Sequence, residues 1–285
     1  MTIDNWLTKA TAELTRANVP SARLDAELML CHMLGVDRAW LIAHGDDSLA
    51  MSALSQKGGE RRGGLKEYGE LLLQRRMNRQ PMAYLFGRKE FYGREFIVDK
   101  NVLVPRPETE SMIELAKKYD FTGTLLDVGT GSGAIGLTLG FELKNIDLTL
   151  SDYSLEALEV AKKNAKKLKV KPVEFVESDL LEHWMTSEIP EQFDAIVANL
   201  PYVDKSWERS PETKHEPALA LFANDGGLEL IKQLVGQAPQ HISPKGYLLL
   251  EAEPTQHDAI IEHAKSDFTL LEAKDYAILL QKTGI

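Results

Sequence analysis

Two short stretches of this chain carry residue types that could do chemistry. Residues 127–133 read Asp127-Val-Gly129-Thr130-Gly131-Ser132-Gly133, directly after an apolar run and directly before a helical one. Glycines at that spacing let the backbone turn sharply and approach a ligand with no Cβ in the way. The helix start beyond them offers unpaired N–H groups and the positive end of a dipole, which suits an anion such as the carboxylate of methionine. A second reading stays open here, because Gly131, Gly133 and Gly136 also satisfy the G-x-G-x-x-G spacing of dinucleotide sites. Asp127 leans towards S-adenosyl-L-methionine, whose methionine end is positive. Asp152 closes the next apolar run and suits a bidentate grip on ribose hydroxyls, which both cofactors have; its bland reading is a helix cap. Asp179 and Leu180 follow the third run, where the acid can accept from an adenine amine while leucine covers the ring.

The second stretch is Asn199-Leu200-Pro201-Tyr202, after the apolar residues Ile196-Val197-Ala198. An amide or exocyclic amine nitrogen is a weak nucleophile, because its lone pair is delocalised. To attack a sulfonium methyl it needs its two hydrogens held and its lone pair aimed. The Asn199 side-chain oxygen can accept one N–H and the Leu200 carbonyl the other. Pro201 removes a donor and fixes φ, which stiffens the two acceptors. Tyr202 can wall a flat group. On its own such a tetrad reads equally as a turn after a strand. Beside the glycine loop it points to methyl transfer onto a planar nitrogen, with Asn199, Pro201 and Tyr202 as catalytic residues and Asn199 to Tyr202 holding the substrate.

Elements of one kind can bring these stretches together. Apolar runs at Thr124–Val128, Leu148–Ser151, Val173–Val176, Ala195–Ala198, Tyr247–Leu250, Thr269–Leu271 and Ala277–Leu280 read as strands, and helical patterns such as Ser154–Leu168 separate most of them, with Ser154 as N-cap. That alternation predicts an α/β fold, a mainly parallel sheet whose strand C-termini share one edge. The last two runs are too close for a parallel crossover and should pair antiparallel. Upstream, Trp6, Leu7, Ala10 and Leu14 recur at helical spacing; Pro20-Ser21 stops that helix and caps a second, with Leu24, Leu28, Cys31 and Leu34 on its inner face. Tyr68, Leu71, Leu72 and Met77 mark a further helix, and Gly58–Gly64 a loop. Residues around Gly93-Arg94 read as a β-hairpin joining the modules.

The formal net charge is −10, and residues 1–95 hold 14 Lys+Arg against 12 Asp+Glu, so the excess acid lies downstream with the two chemical stretches. An acidic catalytic half suits a polyphosphate poorly, and no direct nucleic-acid binding is expected. Arg75, Arg76, Arg79, Arg88, Lys89 and Arg94 read either as a solvated basic face or as a contact surface for an acidic protein. A single cysteine, Cys31, excludes an internal disulfide, and the seven histidines lack ligand spacing, so no metal is expected. No apolar run is long enough to span a bilayer, and residues 1–9 lack the features of a signal peptide, so a cytoplasmic protein is the expectation.

Three further segments carry a resemblance. Arg79-Gln-Pro-Met-Ala-Tyr-Leu-Phe-Gly87, Glu90-Phe-Tyr-Gly93 and Val104-Pro-Arg-Pro-Glu-Thr-Glu110, followed later by Glu216-Pro-Ala-Leu-Ala-Leu and Asp225-Gly226-Gly227-Leu228, resemble the release factor glutamine methyltransferases over nearly the whole chain. The resemblance implies a seven-stranded Rossmann-like methyltransferase sheet and a small N-terminal helical domain that engages the release factor, joined by the hairpin. It divides the chain into residues 1–85, 86–105 and 106–285. It also implies S-adenosyl-L-methionine as cofactor, held by Gly129 to Gly133, Asp152, Leu180 and Asn199. The implied reaction is N5-methylation of the glutamine in the Gly-Gly-Gln motif of peptide chain release factors. Leu200 stands where the family usually has proline, and Leu180 where it often has an aromatic residue. Leu250-Glu251-Ala-Glu253-Pro254 departs from the family form without an obvious catalytic consequence. Asn-Leu-Pro-Tyr is also the form found in ribosomal RNA adenine dimethyltransferases, which leaves adenine-N6 methylation of RNA or DNA as the alternative.

Overall fold

The computed structural model describes residues 1–49, 64–171, 173–186 and 190–284. The Gly58–Gly64 loop expected from the sequence lies outside them except for Gly64. The chain forms two compact units, one of residues 1–86 with 210–215, the other of residues 87–209 with 216–285. Among the described residues no helix is long and apolar enough to cross a membrane.

The larger unit is built on a seven-stranded sheet. Strands β3 (Gly123–Val128), β4 (Ile146–Asp152), β5 (Val173–Glu177), β6 (Phe193–Ala198) and β7 (Ile242–Glu251) run parallel, and β8 (Phe268–Lys274) and β9 (Ala277–Lys282) form an antiparallel pair. The order across the sheet is β5-β4-β3-β6-β7-β9-β8, with β9 inserted antiparallel beside β7. The central strands are buried on both faces, which is why Leu125–Val128, Ala195–Ala198 and Leu248–Leu250 are continuously buried, whereas the edge strands β5 and β8 carry exposed polar residues. Leu126, Val128, Ile196, Ala198, Leu248 and Leu250 point into one core, covered by helices Glu229–His241 and His257–Ala264. Leu125, Ala195, Val197 and Leu249 point into the other, under helices Glu110–Lys118, Ala134–Glu142 and Leu155–Leu168. Ser154 caps the last of these as expected, accepting from the Ala157 N–H at 3.2 Å. β7 starts five residues before the predicted run, because Ile242 pairs with Phe193 at the far end of β6.

A separate hairpin of β1 (Arg88–Phe91) and β2 (Arg94–Ile97) belongs to this unit. Its turn is Tyr92-Gly93, one residue earlier than expected, and both residues have positive φ (49° and 70°), as a two-residue hairpin turn requires. Asn164 holds it from inside a helix. Its side chain accepts from the Ile97 N–H at 2.7 Å and donates to the Ile97 and Ser132 carbonyls, both at 2.9 Å. The hairpin is thereby tied to the glycine loop itself.

The smaller unit packs helices Ile3–Arg16, Ala22–Leu34 and Leu65–Met77 around one core. The second helix is rotated from the sequence reading. Its buried residues are Ala22, Asp25, Ala26, Met29, Leu30, Met33 and Leu34, whereas Leu24 is exposed and Leu28 and Cys31 are half-buried. The phase was misleading because the apolar residues Leu24, Leu28 and Cys31 lie outside the inward stripe, which itself contains an aspartate. Ser21 precedes the helix but makes no side-chain cap bond.

Asp25 accepts from Arg76 Nε at 2.6 Å, and both side chains are only 6% exposed. Arg76 and Arg79 in turn pair with Glu212, which arrives from the remote 210–215 segment. The sequence reading assigned that segment to the catalytic stretch; these ion pairs are why it joins the helical unit. Four of the six cations in the basic series are therefore in ion pairs, for Arg88 pairs with Glu95 and Arg94 with Glu142 as well. Burial opposes charge on Glu212, but Arg79, Ser210 and Arg76 hold its carboxyl down at about 2. A group depressed in this way stabilises the fold above its ordinary value of 4.5, and that contribution is lost as the pH falls through about 2. Glu212→Gln should lower the urea midpoint at neutral pH, and its gap to wild type should close on acidification over that window. Arg76→Ala, which strands the Asp25 carboxylate, should cost about 3 kcal/mol in the same assay.

Candidate active site

The C-terminal ends of β3, β4 and β6 surround a cavity of about 360 Å³, whose wall includes Gly129, Thr130, Gly131, Ser132, Asp152, Asp179, Leu180, Asn199, Leu200 and Pro201. Parallel pairing puts them there, since Val128 lies opposite both Ser151 and Ala198. The glycine loop and the tetrad thus emerge from adjacent strands. Gly129 has φ +69°, and a Cβ on it would sit 3.0 Å from Leu200 Cδ2. The positive φ is the stronger reason for glycine here, since the Leu200 methyl could give by a few tenths of an ångström.

Asp127 stands behind the loop. It is 1% exposed, and its Oδ2 accepts from Thr130 Oγ1 at 2.7 Å and from the Gly136 N–H at 2.9 Å. Its Oδ1 is buried without a partner among the described residues. Burial pushes this carboxyl up to about 7, against those two donors. Asp152 accepts from the Gly131 N–H at 2.8 Å and the Ser154 N–H at 2.9 Å, one on each oxygen. A carboxylate oxygen has two lone pairs, so one on each remains for a pair of hydroxyls. Gly133 opens helix Ala134–Glu142 from φ +80°. Leu180 sits at φ +46°, a costly conformation for a branched side chain, and is buried in the cavity wall beside the exposed Asp179.

Glycines for close approach, a carboxylate with spare lone pairs and an apolar floor of Val128, Ala134 and Ile135 fit S-adenosyl-L-methionine, with Asp127 behind the loop and off the cavity wall. A dinucleotide pyrophosphate would meet aspartates at the loop, and the cation on this wall, Arg106, is paired with Glu216.

In the tetrad, Asn199, a residue of the cavity wall, donates from Nδ2 to Thr109 Oγ1 at 3.3 Å, and its Oδ1 has no hydrogen-bond donor among the described residues. The Leu200 side chain is buried in the core. Tyr202 is half-buried and turned away from the cavity wall, its hydroxyl donating to Glu251 Oε1 at 3.1 Å. Burial, then the Glu251 charge, raises its phenol far above the ordinary range, so it stays a donor.

Several residues that shape this site were missed by the sequence reading. Glu216 is buried and accepts from the Val104 N–H at 3.1 Å and from Arg106, joining two segments 110 residues apart. Gln256 donates to the Tyr202 carbonyl at 3.0 Å and the Gly226 carbonyl at 2.7 Å, and is itself fixed by a capping box with Glu253. Glu251 supports Tyr202. The signal available was the glutamate directly after the apolar run Tyr247–Leu250, where an unpaired charge would be costly.

Comparison with known proteins fits this geometry. The methyltransferase small domain family matches residues 109–216, and the PrmC N-terminal domain family matches residues 5–57. A release factor glutamine methyltransferase from Koribacter versatilis is 37% identical, with 88% of this chain and 86% of that protein covered. The one from Deinococcus radiodurans is 36% identical, covering 89% and 87%. The chain belongs to the release factor glutamine methyltransferase family. It is an S-adenosyl-L-methionine-dependent methyltransferase. Among solved structures, a methyltransferase from Pyrococcus furiosus shares the fold with a TM-score of 0.52 at 19% identity, covering 69% of this chain and 92% of that one.

The family segment Asp225-Gly226-Gly227-Leu228 now has a physical reason. Gly227 has φ +85°, and a Cβ there would lie 1.9 Å from the Tyr202 carbonyl oxygen. Gly227→Ala should therefore displace the tetrad, costing at least about 2 kcal/mol. Calorimetric melting should show the loss, and methyl transfer should fall with it.

Proposed function

We propose that this enzyme transfers a methyl group to the side-chain amide N5 of the glutamine in the Gly-Gly-Gln motif of peptide chain release factors. The observation that carries the reading is the pair of acceptors, Asn199 Oδ1 and the Leu200 carbonyl, on two residues that line the glycine-loop cavity, with no donor to either among the described residues. The relatives' own names supply the substrate class. S-adenosyl-L-methionine, when bound, supplies a methyl group on a positively charged sulfur. Gly129 to Gly133, Asp152, Asp179, Leu180 and Asn199 would hold it, with Asp127 bracing the loop from behind.

A primary amide has two N–H bonds. With one donated to Asn199 Oδ1 and the other to the Leu200 carbonyl, its plane is fixed and its nitrogen lone pair faces the cavity. Rate enhancement then comes from positioning and from dipoles already oriented before the reaction. Pro201 keeps the two acceptors from drifting. Asp204, just beyond the tetrad, spends its carboxylate on the Ser206 N–H and hydroxyl and serves the turn. Residues 1–85 form the release-factor-binding domain in this reading, residues 86–105 the connector and residues 106–285 the catalytic domain, apart from 210–215, which pack with the helical unit. The acidic excess of the catalytic half favours a protein amide over adenine N6 in RNA or DNA.

Labelled S-adenosyl-L-methionine should label a purified release factor and leave a Gly-Gly-Ala version unlabelled. Labelling of RNA instead would overturn the reading. Asn199→Ala should lower kcat by roughly 10²–10³, the effect of removing one positioned polar group; a near-normal rate would remove Asn199 from the mechanism.

A further inference from the structure

Glu251 is a buried carboxyl that the reaction above leaves without a task. It ends β7 one residue beyond Leu250, which lies opposite Ala198, so Glu251 and Asn199 leave neighbouring strands side by side. The residue is 1% exposed. Its Oε1 accepts the Tyr202 hydroxyl proton, and its Oε2 is buried with no partner among the described residues. Thr109 and Asn199 also face the carboxyl.

The two ends of an asparagine amide have nearly the same shape but opposite hydrogen-bonding character. One orientation offers substrate an acceptor, the other a donor, and only the acceptor can hold an amide N–H. Thr109 Oγ1 cannot choose between them, because a hydroxyl both donates and accepts. An ionised carboxylate can, since it only accepts and so draws Nδ2 inward. We propose that Glu251 is a positioning residue that sets the orientation of the Asn199 amide so that Asn199 Oδ1 faces the substrate. The inference rests on the reading of Asn199 as the residue that holds the amide.

Protonation would weaken that choice, because a neutral carboxyl also donates. Burial pushes Glu251 up to about 7, while Thr109, Tyr202 and Asn199 pull it down and Glu108 adds to the rise. Glu253 and Tyr276 face the adjoining Tyr202. Ionised Glu251 is the active form, so kcat should rise with pH through about 7 and then level off.

The test is steady-state methylation of a release factor by the full-length enzyme, with Glu251→Gln made both in wild type and in Asn199→Ala. Glu251→Gln keeps the shape, removes the charge and places a donor among these partners. It should lower kcat roughly ten- to a hundredfold, the scale of outer positioning groups. The affinity for S-adenosyl-L-methionine, read by calorimetry, should stay as in wild type, and the rise in kcat with pH should disappear. In the Asn199→Ala background the same change should cost less than about twofold, because its target is gone. An equal loss in both backgrounds, or an unchanged rate and pH profile, overturns the proposal. Should Glu251→Gln not fold, a wild-type kcat that is flat between pH values of about 6 and 8 overturns it alone. A wild-type enzyme that leaves release factor unmethylated overturns the functional reading together with the proposal; an active one indifferent to Glu251→Gln overturns only the proposal.

Discussion

The parallel pairing of β3 with β6 is the constraint on which the catalytic unit depends. A cofactor loop and a substrate-holding loop must share one small volume, so the strands that deliver them must be immediate neighbours. Parallel pairing achieves this by ending β3 and β6 at the same edge, with Val128 beside Ala198. Everything else around the cavity keeps that arrangement in place. Asp127 braces the loop from inside the sheet, Asn164 ties it to the hairpin, and Gln256 and Gly227 support the tetrad from below.

The cores explain why such an arrangement holds still. Residues on alternate sides of each central strand enter two separate apolar layers, so a slip of one strand by one residue would send each of its side chains to the wrong layer. Burial on both faces also removes water from beneath the site. Polar groups there must find one another, and the chains of contacts through Thr109, Glu251, Tyr202 and Gln256 follow from that need.

Much of this was legible in the sequence because it is local. The seven apolar runs, the glycine spacing and Asn199 to Tyr202 are contiguous patterns with short-range physical causes. The parts that were not legible join residues far apart. Asn164, Glu216, Glu251 and Gln256 look like ordinary polar residues until the fold shows what each one touches. The helix at Ala22–Leu34 was misread for a related reason: its inward face is marked by Asp25, whose partner lies 51 residues away. Tyr202 also escaped the simple reading, since its ring turns to Glu251 instead of lining the cavity wall.

The ion pairs of the helical unit carry a consequence for biosynthesis. Glu212 lies 136 residues beyond Arg76 in the chain. As the protein emerges from the ribosome, its first helices can collapse early, but Arg76 and Arg79 lack this carboxylate until much of the catalytic sheet has been made. The N-terminal unit therefore reaches its final form late, although it is translated first. An engineer who truncates the chain after residue 86 removes that late-arriving anion along with the enzyme.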